Sequence, residues 1–242
     1  MLLVASVGNT TIRLAGFEDG DQPAFVERLA VGEVEGLSVP EGQFEGLVLG
    51  SVNPTAGARV RRWAAEGPKC PVFELRAELP IPMPILCESP ERVGVDRVAN
   101  AIALHKHTGR GGIAVDFGSA ISLAVVSPAG EFLGGAIAPG MAMSARALHT
   151  DTALLPLVDP RPPRDSIGRD TEEAISAGLL WGLAGLADRL IEHLAGPWPG
   201  APVVATGGDA TRLVPHCRRV STIIPHLTLQ GLREAYLRRQ RQ

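Results

Sequence analysis

Two short turns carry the residue types that grip phosphate. In Asp116-Phe117-Gly118-Ser119-Ala120, the glycine lets backbone approach an anion closely, and the serine hydroxyl and nearby N–H groups supply donors. The acid two residues before the glycine can hold a cation or its waters beside the phosphates. Ser6-Val7-Gly8-Asn9-Thr10 repeats the donors but has no acid. Aligned on the glycines, Gly8 matches Gly118, Asn9 matches Ser119, and Ser6 falls opposite Asp116. Either run alone reads as an ordinary β-turn; twice in one chain, it reads as a repeated phosphate-binding hairpin. Thr206-Gly207-Gly208 follows an apolar run and reads either as a strand-to-helix turn or as bare backbone for a ligand. Asp96 follows Gly94-Val95, beside Arg97, with Asn100 one helical turn along. A carboxylate so placed can be oriented for proton transfer, and it is equally the helix-entry acid that the macrodipole favours. Asp170-Thr171, with Glu173 three residues after the aspartate, reads as a helix cap that also suits an anionic group.

The elements that must position these residues follow from periodicity. Leu2–Ala15 and Gly112–Val125 each read as apolar strand, glycine-centred turn and second apolar strand. A further strand at Glu131–Gly135 follows the turn Pro128-Ala129-Gly130. In the first half, a strand at Gly46–Val52 leads through Pro54 into an Arg-rich helix near Thr55–Ala65. A second helix is expected near Val95–His105, with Val95, Val98, Ala99, Ile102 and Ala103 on one stripe. The second half has a long helix over Thr171–Leu194, with Ile175, Leu179, Leu183, Leu186, Leu190 and Leu194 at helical spacing. A buried-type strand at Ala201–Thr206 and a last helix near Leu229–Arg239 complete it. Leu79–Pro84 and Asp159–Arg164 read as loops. The pattern predicts two α/β lobes related by duplication, residues 1–108 and 109–242, joined where His107–Gly112 breaks the periodicity.

Composition narrows the setting. The chain has 242 residues, 45% of them hydrophobic and 20% charged, enough for a sizeable core. A formal net charge of −3 gives no general attraction to nucleic acid or an anionic membrane. The Arg-rich end, Arg238–Gln242, lacks an aromatic platform beside it, with Tyr236 the only tyrosine. Cys70, Cys87 and Cys217 are odd in number and widely spaced, which argues against a disulfide framework and a zinc site. Histidines are scattered, and His105 and His107 diverge on a helix, so no histidine metal site is expected. The N-terminus lacks a basic region, and the longest apolar stretch, near Ala174–Ala187 between Glu173 and Asp188, is shorter than the ~20 residues of a bilayer span. A cytoplasmic protein is the expectation.

Several runs occur in one family's order and rough spacing. They are Gly8-Asn9-Thr10, Gly94-Val95-Asp96-Arg97-Val98-Ala99-Asn100, Asp116–Ala120, Gly134–Gly140, Ile167–Thr171, Ala205–Gly208 and Leu227–Leu232. Across nearly its whole length the chain resembles the type III pantothenate kinases. That resemblance implies duplicated ribonuclease-H-like, actin-like ATPase lobes, mixed sheets flanked by helices, with nucleotide held between them. It implies ATP-dependent phosphorylation of pantothenate, the first step of coenzyme A synthesis, with Mg²⁺ and a monovalent cation, K⁺ or NH₄⁺, in a homodimer. By the same resemblance Ser6, Gly8, Asn9, Thr10, Arg13, Gly118, Ser119, Gly207 and Gly208 bind ATP, and Asp116 sits by the monovalent cation. Asp96 is the general base, while Cys87, Gly94, Val95, Asp96, Arg97 and Thr171 bind pantothenate, Arg97 through its carboxylate and Thr171 across the dimer. Ser6 stands where the family has an aspartate, and a hydroxyl is a poorer ligand for a hard dication. Cys87 replaces a tyrosine and Ser89 an asparagine near the acceptor. Two further readings stay open: a relative that has lost turnover and serves a regulatory, transcription-accessory or ligand-binding role, and a kinase for another small alcohol.

Overall fold

The computed structural model describes residues 1–162, 167–220 and 222–241. Its first hairpin forms as its sequence implies: β1 (Leu2–Val7) pairs antiparallel with β2 (Thr11–Phe17), Ser6 opposite Arg13 and Val7 opposite Ile12. Next come β3 (Phe25–Ala30), antiparallel to β2, and β4 (Gly46–Ser51), parallel to β1. Asn53 caps α1 (Pro54–Glu66), its side chain accepting the Ala56 N–H at 3.1 Å, and Pro54 occupies the first turn, where no N–H is needed. The strand β5 (Val72–Glu74) then adds parallel to β4. The resulting order is β3-β2-β1-β4-β5. Leu3, Ala5, Val7, Leu47 and Leu49 face Val60 and Ala64 of α1 in one core, as the period of two along a strand requires. The helix α2 (Val95–Thr108) ends at Gly109, whose φ of 63° is the left-handed stop that glycine adopts without strain.

The second unit repeats the plan. β6 (Gly112–Phe117) and β7 (Ala120–Val126) are antiparallel, Asp116 opposite Ser122. β8 (Phe132–Pro139) extends four residues past the predicted strand and leads into α3 (Met141–Thr150), then α4 (Thr171–Leu194). β9 (Val203–Thr206) runs parallel to β6, a four-residue α5 (Ala210–Leu213) follows, and β10 (Thr222–Ile223) runs parallel to β9. The order β8-β7-β6-β9-β10 matches the first sheet strand for strand, so the predicted duplicated α/β plan is the observed one. On α4, Ile175, Leu179 and Leu183 are buried as predicted, but further along Ala187 and Ile191 carry the buried face. Glu173 and Asp188 lie within this helix, so its 24 residues exceed the apolar stretch read from sequence. Among the described residues it alone has the length and apolar character to cross a membrane, yet half of its most apolar window is buried in the protein.

The chain closes with α6 (Leu227–Gln240). One compact unit holds residues 1–110, 130–132 and 226–242; the other holds 111–129 and 133–225. The last helix thus belongs with the first half of the chain, not with the second half to which its position assigned it. Close backbone packing fixes it there: a Cβ on Gly231 would collide with the Ala99 carbonyl of α2, and Leu232 fills the space that a side chain at Gly50 of β4 would need. Residues 79–84 are irregular as expected; in the run Asp159–Arg164, residues 159–162 are irregular and the last two lie outside the described residues.

Candidate active site

In the first unit, four predicted acceptor-site residues, Gly94, Val95, Asp96 and Arg97, come together at the start of α2. Gly94 is its N-cap, and a Cβ there would lie 2.5 Å from Asp96 Oδ1, so this carboxylate needs the glycine. That oxygen accepts the Arg97 N–H at 2.8 Å. Val95 is buried and anchors the turn. The Arg97 guanidinium lies 5.5 Å from the centre of the Phe132 ring, a cation–π arrangement. Burial depresses its pKa, while the charges of Asp96 and then Cys87 oppose the shift, so Cys87 is within electrostatic reach of Arg97. Asn100, on the same face as Asp96, is buried and accepts the Thr228 hydroxyl of α6 at 2.8 Å. It therefore ties α2 to α6.

The first hairpin belongs to the same unit. Its turn is closed by the Gly8 N–H donating to the Thr11 carbonyl at 2.9 Å, and Asn9 and Thr10 are exposed at the tip. Ser6 and Arg13 face one another across the ladder, both half-buried among buried neighbours, and Arg28 of β3 is opposite Arg13. This rung supplies a hydroxyl and two guanidinium groups, with no carboxylate for a divalent metal. His226, just before α6, was not legible as a site residue. Its φ of 58° puts it in the left-handed region, and burial, then the Arg13 charge, lower its pKa.

The second unit gathers the other predicted residues. Asp116 is opposite Ser122 on β7 and Thr206 on β9. Gly118 and Ser119 form the turn, with the Gly118 N–H donating to the Ala120 carbonyl at 3.2 Å. Gly207, at φ 100°, lies so close that a Cβ would strike Asp116 Oδ1 and the Phe117 carbonyl. The Asp209 N–H donates to that same carbonyl at 2.9 Å, so the turn through Gly207 and Gly208 is stitched to the hairpin. Gly140 presses onto the hairpin from the other side, its N–H donating to the Ser119 carbonyl at 3.3 Å. A carboxylate ringed by hydroxyls and close-packed glycine backbone is an oxygen donor set that fits a hard cation; among the described residues no cluster of three or more His, Cys, Asp or Glu exists. Thr171 is the exposed first residue of α4, beside the Asp170 cap, which accepts the Glu173 N–H at 2.8 Å. The capping reading holds for Asp170 and Glu173.

Twin five-stranded sheets of identical order, each opened by a glycine-turned hairpin, define the actin-like, sugar-kinase class of ATPase fold. Solved structures agree. A Campylobacter jejuni protein assigned to the Baf family of transcriptional activators superposes at a TM-score of 0.66 with 18% identity, covering 99% of this chain and 100% of that one. A ROK family glucokinase from Streptomyces griseus, in complex with glucose and AMPPNP, gives 0.57 and 13%, covering 98% and 99%. The type III pantothenate kinase profile matches residues 2–193, and a type III pantothenate kinase of Nocardia farcinica is 36% identical over 100% of this chain and 99% of its own. The chain belongs to the type III pantothenate kinase family.

Proposed function

We propose that the protein transfers the γ-phosphoryl group of ATP to the primary hydroxyl of pantothenate, giving 4'-phosphopantothenate. Family membership supports the reaction, and the grouping of Asp96 and Arg97 at the start of α2, with Cys87 in electrostatic reach of Arg97, is the observation that carries the assignment of roles. Asp96 takes the acceptor proton as the hydroxyl attacks. Its Oδ1 is held by the Arg97 N–H, which leaves the other oxygen for the substrate. Arg97 holds the pantothenate carboxylate; its partial burial sharpens the attraction, because a guanidinium in a poorly solvated place gains more from an anion than one in water. Val95 and Gly94 fix this turn, and Cys87 lines the acceptor side.

The phosphates are assigned to Ser6, Gly8, Asn9, Thr10 and Arg13 in one hairpin and to Gly118 and Ser119 in the other, with Gly207 and Gly208 against the nucleoside. Mg²⁺ enters with ATP as substrate. Asp116 holds the monovalent cation, which supplies fixed positive charge beside the phosphates. Phosphoryl transfer depends chiefly on positioning and charge neutralisation. At the first hairpin this work falls on Arg13, since Ser6 offers no carboxylate. Thr171 serves pantothenate from across a homodimer, and the setting is the cytoplasm. The dimer is supported by the outer face of α4: Trp181 is 39% exposed, and nothing lies within 4 Å of a Cβ built on Gly178, Gly182 or Gly185.

The test is ADP release with ATP, Mg²⁺, K⁺ and pantothenate. Asp96→Asn is expected to lower kcat by about 10²–10⁴-fold, the usual contribution of a general base, with nucleotide binding intact. Unchanged turnover in that variant removes Asp96 from the role. A second reading, nucleotide binding without turnover, is favoured by Ser6; binding of ATP with no ADP formed, unrescued by Ser6→Asp, establishes it instead.

A further inference from the structure

Phe132 opens β8, yet it belongs with the first unit, where its ring is fully buried. Two main-chain hydrogen bonds fix its backbone to the segment that leads to Cys87. Its N–H donates to the Pro84 carbonyl at 2.9 Å, and its carbonyl accepts the Leu86 N–H at 2.8 Å. Just before it, the turn at Gly130 lies against α2: Gly130 takes a φ of 82°, and a Cβ there would come within 2.9 Å of His105 Nε2. Residues 130–132 are thus anchored at both ends. The pinned backbone delivers the ring to Arg97, whose guanidinium carbon lies 5.5 Å from the ring centre.

A guanidinium drawn out of water needs support, and the kind of support decides what else it can bind. A buried carboxylate in contact with it would neutralise it and compete with an anionic ligand. A ring face attracts the cation through its quadrupole and leaves the positive charge in place. We infer that Phe132 is a positioning residue for the acceptor: its ring holds the Arg97 guanidinium in place, still charged, and so sets the preference for an acceptor that carries a carboxylate. This rests on the kinase reading above and on the role given there to Arg97. The same residue supplies both the ring and the main-chain bonds to residues 84–86, so the arginine and the segment leading to Cys87 share one support.

Steady-state kinetics on the full chain compare pantothenate with pantothenol, in which a primary alcohol replaces the carboxylate. Phe132→Leu keeps an apolar side chain and both main-chain bonds but removes the ring. It is expected to raise KM for pantothenate about tenfold, with kcat, the KM for ATP and the kcat/KM for pantothenol all within about twofold of wild type. In an Arg97→Met background, adding Phe132→Leu is expected to change kcat/KM for pantothenate by less than about twofold, since the cation it serves is gone. A ring that only fills the core behaves otherwise: its loss weakens both acceptors alike and adds its full effect to Arg97→Met. Either result overturns the inference and leaves the kinase reading standing. Melting temperature reports folding, and Phe132→Met, which also keeps the position apolar, is read in place of a leucine variant that does not fold. A wild type that phosphorylates neither acceptor overturns the kinase reading and this inference with it.

Discussion

Ser6 changes the electrostatics of the first hairpin through the company it keeps. With Arg13 opposite and Arg28 beyond, the rung carries two guanidinium groups and no carboxylate. His226 joins it from the start of α6, and its proton is disfavoured by burial first and by Arg13 second. The sign of the consequence is fixed. A histidine whose pKa is lower folded than unfolded binds its proton more readily when unfolded, so it adds nothing above about pH 6.5 and costs stability as pH falls below that. We expect the melting temperature to decline between pH 7 and 5.5. His226→Asn, which tolerates the left-handed backbone, should make that decline shallower; parallel curves for the two proteins assign the acid sensitivity elsewhere. Asp21, held low by its hydrogen bond to Lys106, adds stability that is present above its ordinary range, pH ~4, and lost only as pH falls below it, so it plays no part in this window. Histidine scatter along the sequence gave no hint of this placement, because Arg13 and His226 are far apart in the chain and meet only through the fold.

Gly231 decides where α6 can sit. It contacts the Ala99 carbonyl with no room for a methyl group, and the obstacle is backbone, which cannot rotate away. Gly231→Ala is therefore expected to cost about 3 kcal/mol, the upper end of overpacking effects, or roughly 6–12 °C in melting temperature for a chain of this size. A shift under about 2 °C shows that α2 and α6 separate freely. Elements with strong periodicity were legible: α1, α2 and α4 lie where apolar spacing and caps put them. β3 was missed because it alternates half-buried with exposed residues at a sheet edge and carries Glu27 and Arg28. α3 was missed because its start hides behind the glycine-rich run of β8. The location of α6 was illegible for a different reason. Gln230, Arg233 and Glu234 are buried polar residues, made tolerable by partners far away in sequence: His107 at 2.6 Å from Gln230, Asp21 at 3.2 Å from Arg233, and Lys106 at 3.4 Å from Glu234. Amphipathic spacing cannot reveal a helix buried on its polar side. At the site, the hairpins and the start of α2 were readable because glycines and acids recur at fixed spacings, whereas the pairing of Arg212 with Asp159 was not, since the two are 53 residues apart in the chain.

At the scale of the whole molecule, the outer face of α4 is where the proposed homodimer is tested. Gly178, Gly182 and Gly185 are exposed in the middle of a 24-residue helix, with Trp181 beside them. In an isolated helix each glycine costs ~1 kcal/mol relative to alanine, so three on one face make sense where another backbone must come close. The proposed homodimer supplies that backbone, and two opposite effects of one substitution test it. If the face is solvated, Gly182→Ala stabilises the protein by about 0.5–1 kcal/mol and leaves its mass unchanged. When a second copy packs there, the added methyl weakens association, and Gly182→Arg abolishes it. Light scattering behind size-exclusion chromatography should give twice 25.4 kDa for the wild type and 25.4 kDa for Gly182→Arg. Because Thr171 begins the same helix and is assigned to pantothenate across the dimer, the monomeric variant should still bind β,γ-imido-ATP but lose pantothenate turnover. A monomeric wild type, or a monomeric variant with full activity, places the complete acceptor site within one chain.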